Sequence, residues 1–284
     1  MQIIEDPKLL RSEIKKRKQQ GAQVSFIPTM GNLHQGHLTL VKEGQQHAEV
    51  TVVSIFVNPM QFNNANDLAN YPKTLAEDCA QLEQAGVDIV FIPTVDAIYP
   101  NGLEAQTFVE VPGISDQLEG ELRPGHFRGV STIVTKLFNL VQPDFACFGK
   151  KDFQQLAVIK QMVSDLAMPI NIIPVETVRE ASGLAMSSRN NKLSADEKLL
   201  APKIAEVMTE LGKKIQLNVK NCSQLVTEAS LTLDNSGFKT DEIHVVDPIT
   251  LAPLNEGSKQ AVILMAAFLG STRLIDNVVV NLHQ

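Results

Sequence analysis

Aromatic side chains are scarce in this chain of 284 residues: it has no tryptophan, two tyrosines and twelve phenylalanines. Basic residues are not in excess either, with 25 Lys and Arg against 32 Asp and Glu, a formal net charge of −7. The densest basic run, Lys15-Lys16-Arg17-Lys18, has no aromatic residue beside it and reads as a solvated helix face. Nucleic acid is therefore not expected as a general partner, although a few local donors would suffice for a nucleotide. Cysteine is also rare. Cys79, Cys147 and Cys222 are odd in number, far apart and never in a C-x-x-C pair, which suits reduced core thiols in a cytoplasmic protein. No apolar run reaches the length of a membrane span, and the longest, near Ala261 to Leu269, suits a buried strand. The start, Met1-Gln2-Ile3-Ile4-Glu5-Asp6, lacks the basic and apolar regions of a signal peptide. Repeats and low-complexity stretches are missing as well. With 44% hydrophobic and 20% charged residues, the chain has ordinary globular composition and enough apolar residues for a sizeable core.

What is present is a regular alternation of elements. A helix pattern over 7–20 turns Leu9, Leu10 and Ile14 inward and closes at Gly21. Val24-Ser25-Phe26-Ile27 reads as a buried strand, and Leu38, Leu40 and Val41 mark the inner face of a helix beginning near Gly36. Residues 50–57 are almost continuously apolar, as in a strand covered on both faces of a parallel sheet. A helix over 73–85, with Leu75, Cys79 and Leu82 inward, leads to a strand at 89–92. Residues 100–128 read as an irregular loop with His126 exposed in it, followed by a helix over 130–141 and a strand over 144–148. A helix over 154–167 and a strand over 171–175 complete a Rossmann-like, doubly wound α/β sheet. Beyond Glu176 the pattern changes: a loop at 179–193, helices at 195–211 and 221–235, then strands near 242–246, 261–268 and 273–280. The predicted division is a Rossmann-like domain over 1–176 and a smaller C-terminal α+β domain over 177–284.

Three polar clusters follow predicted strands of the first sheet, whose carboxyl edge is where open parallel sheets bind ligands. The first is Pro28-Thr29-Met30-Gly31-Asn32-Leu33-His34-Gln35-Gly36-His37, with two glycines and two histidines between a strand and a helix. A helix start offers unpaired N–H groups and a positive dipole end to an anion, so this stretch suits a nucleotide phosphate. The same histidines could share a metal ion or merely cap the helix. However, no Glu stands between them as in H-E-x-x-H, and no third ligand is near. The second cluster is Asn58-Pro59-Met60-Gln61-Phe62 and the third is Gly149-Lys150-Lys151-Asp152-Phe153-Gln154-Gln155. A glutamine at a strand end is commonplace, and Lys151 with Asp152 could be a plain surface pair. In the second domain, Ser187-Ser188-Arg189 offers two hydroxyls and a guanidinium that could fork onto phosphate oxygens, or a solvated turn before the next helix. His47, His244 and His283 read as surface or packing residues.

In their order along the chain, four stretches resemble the pantoate–β-alanine ligase family of the H-x-G-H nucleotidylyltransferase superfamily. They are 28–37, Ser54 to Phe62, Arg123-Pro124-Gly125-His126-Phe127-Arg128-Gly129-Val130, and Met186-Ser187-Ser188-Arg189-Asn190. The resemblance implies ATP-dependent condensation of pantoate with β-alanine through a pantoyl adenylate, releasing pyrophosphate and AMP. It assigns ATP to Met30, Gly31, Asn32, Leu33, His34, Gln35, Gly36, His37, Gly149, Lys150, Lys151, Asp152, Val178, Met186, Ser187, Ser188 and Arg189. It gives catalytic roles to His37, as proton donor, and to His34 and Lys151, and substrate contacts to Gln61, Gln155 and Asn58. Mg2+ would be bound through the ATP phosphates, with no protein metal site, and the second domain would close over the ATP site. A homodimer is implied, with no nucleic acid or membrane partner. Two positions depart from the family pattern: Lys150 stands where glutamate is common, and Ser182 where aspartate is common. Two other classes compete: transfer of a nucleotide to a phosphorylated acceptor, and a nucleotide-sensing scaffold with an idle site. Neutral Asn58, Gln61 and Gln155 favour a small hydroxy acid over a phosphate-bearing acceptor.

Overall fold

A computed structural model describes residues 1–63 and 65–283. The chain divides into two units, Met1–Lys150 with Gln154–Glu176, and Lys151–Phe153 with Thr177–Gln284.

In the first unit the order is β1 (Gln2–Ile4), α1 (Pro7–Gln19), β2 (Val24–Thr29), α2 (Gln35–His47), β3 (Val50–Ile55), α3 (Ala65–Ala69), α4 (Leu75–Gln84), β4 (Ile89–Phe91), α5 (Val95–Ile98), α6 (Glu119–Leu122), α7 (His126–Val141), β5 (Phe145–Gly149), α8 (Phe153–Asp165) and β6 (Asn171–Val175). The six strands form one sheet in the order β1-β4-β3-β2-β5-β6, and every pairing is parallel. Period-two alternation splits the strand residues between two cores. Val24, Phe26, Val52, Ile89, Phe91, Ala146 and Phe148 face one side with α1, α7 and α8. Ile27, Val53, Ile55, Val90 and Cys147 face the other with Val41 of α2 and Leu82 of α4. The doubly wound α/β class read from the sequence is the fold found. Because β3 and β5 flank β2 on opposite sides, the chain switches direction at β2, and the crevice beyond its carboxyl end is the expected ligand position.

Helix α2 sits tightly on that central strand. A Cβ on Gly44 would lie 3.0 Å from Ser25 Oγ and 3.1 Å from Ile27 Cδ1, so glycine lets the helix backbone close on β2. Ser25, buried there, donates to Thr51 Oγ1 at 3.2 Å. Asp6 caps α1 by accepting from Lys8 N and Leu9 N, both at 2.8 Å.

The second unit contains α9 (Ala195–Leu200), α10 (Lys203–Leu217), α11 (Cys222–Asp234), β7 (Lys239–Val246), β8 (Gln260–Leu269) and β9 (Thr272–Asn281). Its strands form an antiparallel sheet in the order β7-β8-β9. Ile204, Met208, Leu211 and Ile215 of α10 pack with Leu233, Ile263, Met265 and Leu274 in its core. Ser194 and Glu197 make the capping box that opens α9, through Glu197 N to Ser194 Oγ and Ser194 N to Glu197 Oε2.

Several expectations need correction. Leu9 and Leu75 are 52% and 45% exposed rather than inward. Each lies in the first turn of its helix, where the apolar period has too few residues to fix the phase. The helix read over 195–211 is two helices broken at Pro202, which removes a backbone N–H. The region 100–128 holds the short helix α6, and α7 begins at His126 instead of 130. His126 is accordingly 7% exposed rather than exposed in a loop. Strand β1, not expected from the sequence, has three residues, too few to show a period.

Candidate functional site

The first cluster is held by backbone geometry. Strand β2 ends at Thr29, whose hydroxyl donates to Ser54 O at 2.7 Å and accepts from Gly31 N at 3.3 Å. Gly31 and Asn32 are both left-handed, with φ of 79° and 50°. A Cβ at Gly31 would lie 3.0 Å from Asp78 Oδ2, so glycine answers both the backbone angle and the close approach. Asp78, on α4 and 1% exposed, accepts from Asn32 N at 2.9 Å and Leu33 N at 2.8 Å, and Thr74 Oγ1 donates to it at 3.2 Å. One buried carboxylate thus anchors the turn that leads into α2.

His34 is the N-cap of α2, and its Nδ1 accepts from Gly36 N at 3.1 Å. His37 Nδ1 accepts from His34 N at 3.3 Å, and the two rings lie 4.1 Å apart between centroids. An imidazole nitrogen that accepts a backbone N–H carries no proton, so the ring proton of each histidine sits on Nε2. Both rings are fixed as Nε2–H donors at the positive end of a helix. This arrangement suits an anion better than a cation. Gln35 is exposed in the first turn of α2, Gly36 and His37 are half-buried, and Leu33 is buried beneath them.

The second cluster is held by side chains. Asn58 is 1% exposed; its Oδ1 accepts from Tyr99 Oη at 2.7 Å and Met60 N at 3.3 Å. Its Nδ2 donates to Gly129 O at 3.1 Å and Gln61 Oε1 at 3.2 Å. Gln61 Nε2 lies 3.0 Å from Met30 Sδ, which brings the first and second clusters together. His126 Nδ1 meets Gln61 O at 2.9 Å, and Arg123 pairs with Glu119 at 2.7 Å. Gly129 allows α7 to press on this turn, since a Cβ there would stand 2.6 Å from Met60 O and 2.9 Å from Gln61 N.

The third cluster spans the boundary between the units. In the first unit, Gly149 ends β5, Lys150 forms an ion pair with Glu176, and Gln155 is half-buried on α8. Its neighbour Gln154 is buried. It donates to Ile114 O at 2.9 Å and Gln117 O at 2.7 Å, and accepts from Glu119 N at 3.2 Å. In the second unit, Lys151 lies 4.0 Å from Asp152, and its carbonyl accepts from Asn277 Nδ2 at 2.7 Å.

The fourth cluster, also in the second unit, hangs on a small hairpin. Met186 N donates to Val178 O at 2.9 Å, and Arg179 bridges Ala185 in antiparallel fashion. Arg179 makes a two-point ion pair with the buried Asp276, at 2.6 and 2.9 Å, which pushes the guanidinium pKa further up. Ser182 Oγ accepts from Leu184 N at 3.5 Å, a turn bond of the kind an aspartate would make there. Ser187 Oγ accepts from Arg189 N at 3.2 Å, and Ser188 and Arg189 are half-buried in the short 3-10 turn that follows.

Asp78 and Tyr99 are passed over altogether in reading the sequence, whereas Arg123, His126 and Gln154 stand within the stretches singled out there without an assigned role. Asp78 left one usable signal: an acid four positions before Leu82, on the inward stripe of an amphipathic helix. Cys147 is buried and its thiol is pushed up to about 12, as expected of an inert core cysteine. Among the described residues, no three His, Cys, Asp or Glu side chains gather as a metal site, and no helix is long and apolar enough to cross a membrane.

Comparison with known proteins gives one consistent family. The model of the pantoate-beta-alanine ligase family matches residues 2–279. The pantothenate synthetase of Psychromonas ingrahamii is 65% identical over 283 residues, covering 100% of this chain and 98% of the relative. A crystal structure of pantothenate synthetase from Thermus thermophilus superposes with a TM-score of 0.85 at 39% identity, over 98% of this chain and 99% of that one. The pantoate-beta-alanine ligase of Francisella tularensis, complexed with beta-gamma ATP and beta-alanine, gives a TM-score of 0.82 at 36% identity, over 98% and 97%. The chain belongs to the pantoate-beta-alanine ligase family.

Proposed function

We propose that this chain condenses (R)-pantoate with β-alanine in an ATP-dependent ligation that forms pantothenate. A pantoate carboxylate oxygen attacks the α-phosphorus of ATP, forming the pantoyl adenylate and expelling pyrophosphate. The amine of β-alanine then attacks the acyl carbon, the C–O bond to AMP breaks, and the amine loses a proton as the amide forms. The observation that carries this reading is the paired imidazoles at the start of α2, both fixed as Nε2–H donors by backbone N–H groups.

Charge in the first step spreads over the transferred phosphoryl and the leaving pyrophosphate, so catalysis rests on positioned donors. His34 and His37 would supply two through Nε2–H, with His37 serving the departing group as a hydrogen-bond donor that keeps its proton. Lys151, Ser187, Ser188 and Arg189 of the second unit would add donors and positive charge to the phosphates, with Gly149, Lys150, Asp152, Val178 and Met186 lining the nucleotide. Met30, Gly31, Asn32, Leu33, Gln35 and Gly36 would complete its seat. Gln61 and Gln155 would contact pantoate, and Gln61 would lie near β-alanine. Among the described residues no three His, Cys, Asp or Glu side chains gather as a metal site, and Asp78 is occupied by three donors. That suits Mg2+ held by phosphate oxygens and water. Three free cysteines fit a cytoplasmic setting, and the assembly proposed is a homodimer.

Exchange of labelled pyrophosphate into ATP tests the reading. Exchange that needs pantoate but not β-alanine is the expected result. Its absence from folded protein, or transfer of AMP to a phosphorylated acceptor, would overturn it.

A further inference from the structure

The buried amide of Asn58 has no hydrogen-bonding capacity left for a ligand. An asparagine offers two acceptor lone pairs and two N–H donors. Both lone pairs are taken, by Tyr99 Oη and Met60 N, and both N–H groups are given, to Gly129 O and Gln61 Oε1. Its orientation follows from the chemistry of the two backbone partners. A carbonyl can only accept and a backbone N–H can only donate, so Nδ2 must face Gly129 and Oδ1 must face Met60. Tyr99, 2% exposed, donates its O–H to the same Oδ1 at 2.7 Å once the backbone partners have set that end of the amide.

The consequence passes to Gln61. Its Oε1 is committed to Asn58 Nδ2, which leaves Nε2 as the outward end of the amide. Nε2 rests on Met30 Sδ at 3.0 Å, and a thioether is a weak acceptor that an oxygen can displace at little cost. Met30 and Gln61 also line the region assigned to nucleotide and hydroxy acid, so the exchange of partners would happen where substrate binds.

We propose that Tyr99 and Asn58 are positioning residues that fix the polarity of the Gln61 amide, so that Gln61 meets the hydroxy acid as an N–H donor. Asn58 acts through Gln61 and does not touch substrate. The inference rests on the pantoate reading above and adds to it the sense of one hydrogen bond. A donor there prefers a carboxylate or hydroxyl oxygen, and it disfavours an ammonium group in the same place.

Two variants test it, with wild-type pyrophosphate exchange measured first. Tyr99→Phe removes one O–H and keeps the ring, which packs on Phe56 at 6.2 Å between centroids. It is expected to raise KM for pantoate roughly five- to tenfold while KM for ATP stays within twofold. Asn58→Asp keeps the size but cannot donate to Gln61 Oε1. The Gln61 amide would turn over, and kcat/KM for pantoate is expected to fall roughly 100-fold or more, again with KM for ATP nearly unchanged. A residue that only supports the fold would shift both KM values together, along with Tm. Equal shifts in Tyr99→Phe would overturn the proposal, as would unchanged pantoate kinetics in Asn58→Asp. If Asn58→Asp does not fold, the Tyr99→Phe split decides alone. Wild-type protein without pantoate-dependent exchange would instead overturn the underlying reading, and this inference with it.

Discussion

The two turns beyond β2 and β3 serve neighbouring positions and are built by opposite means. The turn at 29–37 is backbone-built: two left-handed residues, a buried carboxylate on two main-chain N–H groups, and imidazoles whose Nδ1 atoms cap a helix. The turn at 58–61 is side-chain-built: a tyrosine, an asparagine and a glutamine in series, clamped by a helix that closes on it at Gly129. The difference matches what each would bind. A polyphosphate is a large anion satisfied by any well-aimed set of N–H donors and a helix dipole. A small hydroxy acid is distinguished by which end of a neutral amide it meets, and only a side-chain relay can set that end.

His37→Ala should break the backbone-built turn most severely. It removes a donor that we propose faces developing charge, and loss of one such donor costs roughly 100- to 1000-fold in rate. Pantoate-dependent pyrophosphate exchange should fall by that factor. Stability, followed through Tm, should drop only by what a lost helix-cap acceptor is worth, about 1 kcal/mol. Equal collapse of activity and stability would make His37 a structural residue.

Asp78→Asn comes next. One oxygen becomes an NH2 facing a backbone N–H, leaving Asn32 or Leu33 with an unpaired buried donor. The cost is about 1–3 kcal/mol. Because the turn carries both histidines, kcat/KM for ATP should fall roughly 10- to 100-fold, as misplaced catalytic groups do. Kinetics of β-alanine attack on supplied pantoyl adenylate should change much less. A uniform loss in both half-reactions would show that Asp78 supports the whole unit rather than the nucleotide turn.

This contrast also explains what the sequence could tell. The first turn is contiguous: strand, glycines, histidines and helix follow one another within 24–47, so its chemistry is readable locally. Asn58 and Gln61 are visible as a cluster, but Tyr99 lies 41 residues from Asn58, and Gly129 lies 71. Nothing in their own neighbourhoods links them, because the link is made by packing. Asp78 is hidden for the same reason: it bonds to Leu33 across 45 positions. His126 is easily misread because Arg123-Pro124-Gly125 has loop composition, and Gly125, at φ 79°, supplies a sharp entry into α7. The sheet itself is legible, since strands covered on both faces must be apolar throughout.

Gly129→Ala is the sharpest probe of the side-chain-built turn. In an exposed helix interior the change would stabilise by about 1 kcal/mol. Here the new methyl would stand 2.6 Å from Met60 O, and a main-chain carbonyl cannot swing aside as a flexible side chain can. Overpacking of this kind costs about 1–3 kcal/mol. The expected result is a lower Tm together with a roughly tenfold rise in KM for pantoate, with KM for ATP within twofold. A stabilised variant with normal kinetics would show that α7 does not clamp Gln61.

Thr74→Val should have the smallest effect and returns to the backbone-built turn. Thr74 Oγ1 donates to Asp78 Oδ1 at 3.2 Å, the weakest geometry of the three bonds on that carboxylate. The two backbone donors remain at 2.9 and 2.8 Å, so Asp78 stays hydrogen-bonded and the turn keeps its anchors. Valine matches threonine in shape, and the loss is that of one ordinary hydrogen bond, about 0.5–1.5 kcal/mol. KM for ATP should rise no more than about threefold, and pantoate kinetics should not move. If Thr74→Val matched Asp78→Asn in its effect on ATP, the side-chain bond would be holding the carboxylate in place. The first turn would then depend on a side-chain relay as much as the second.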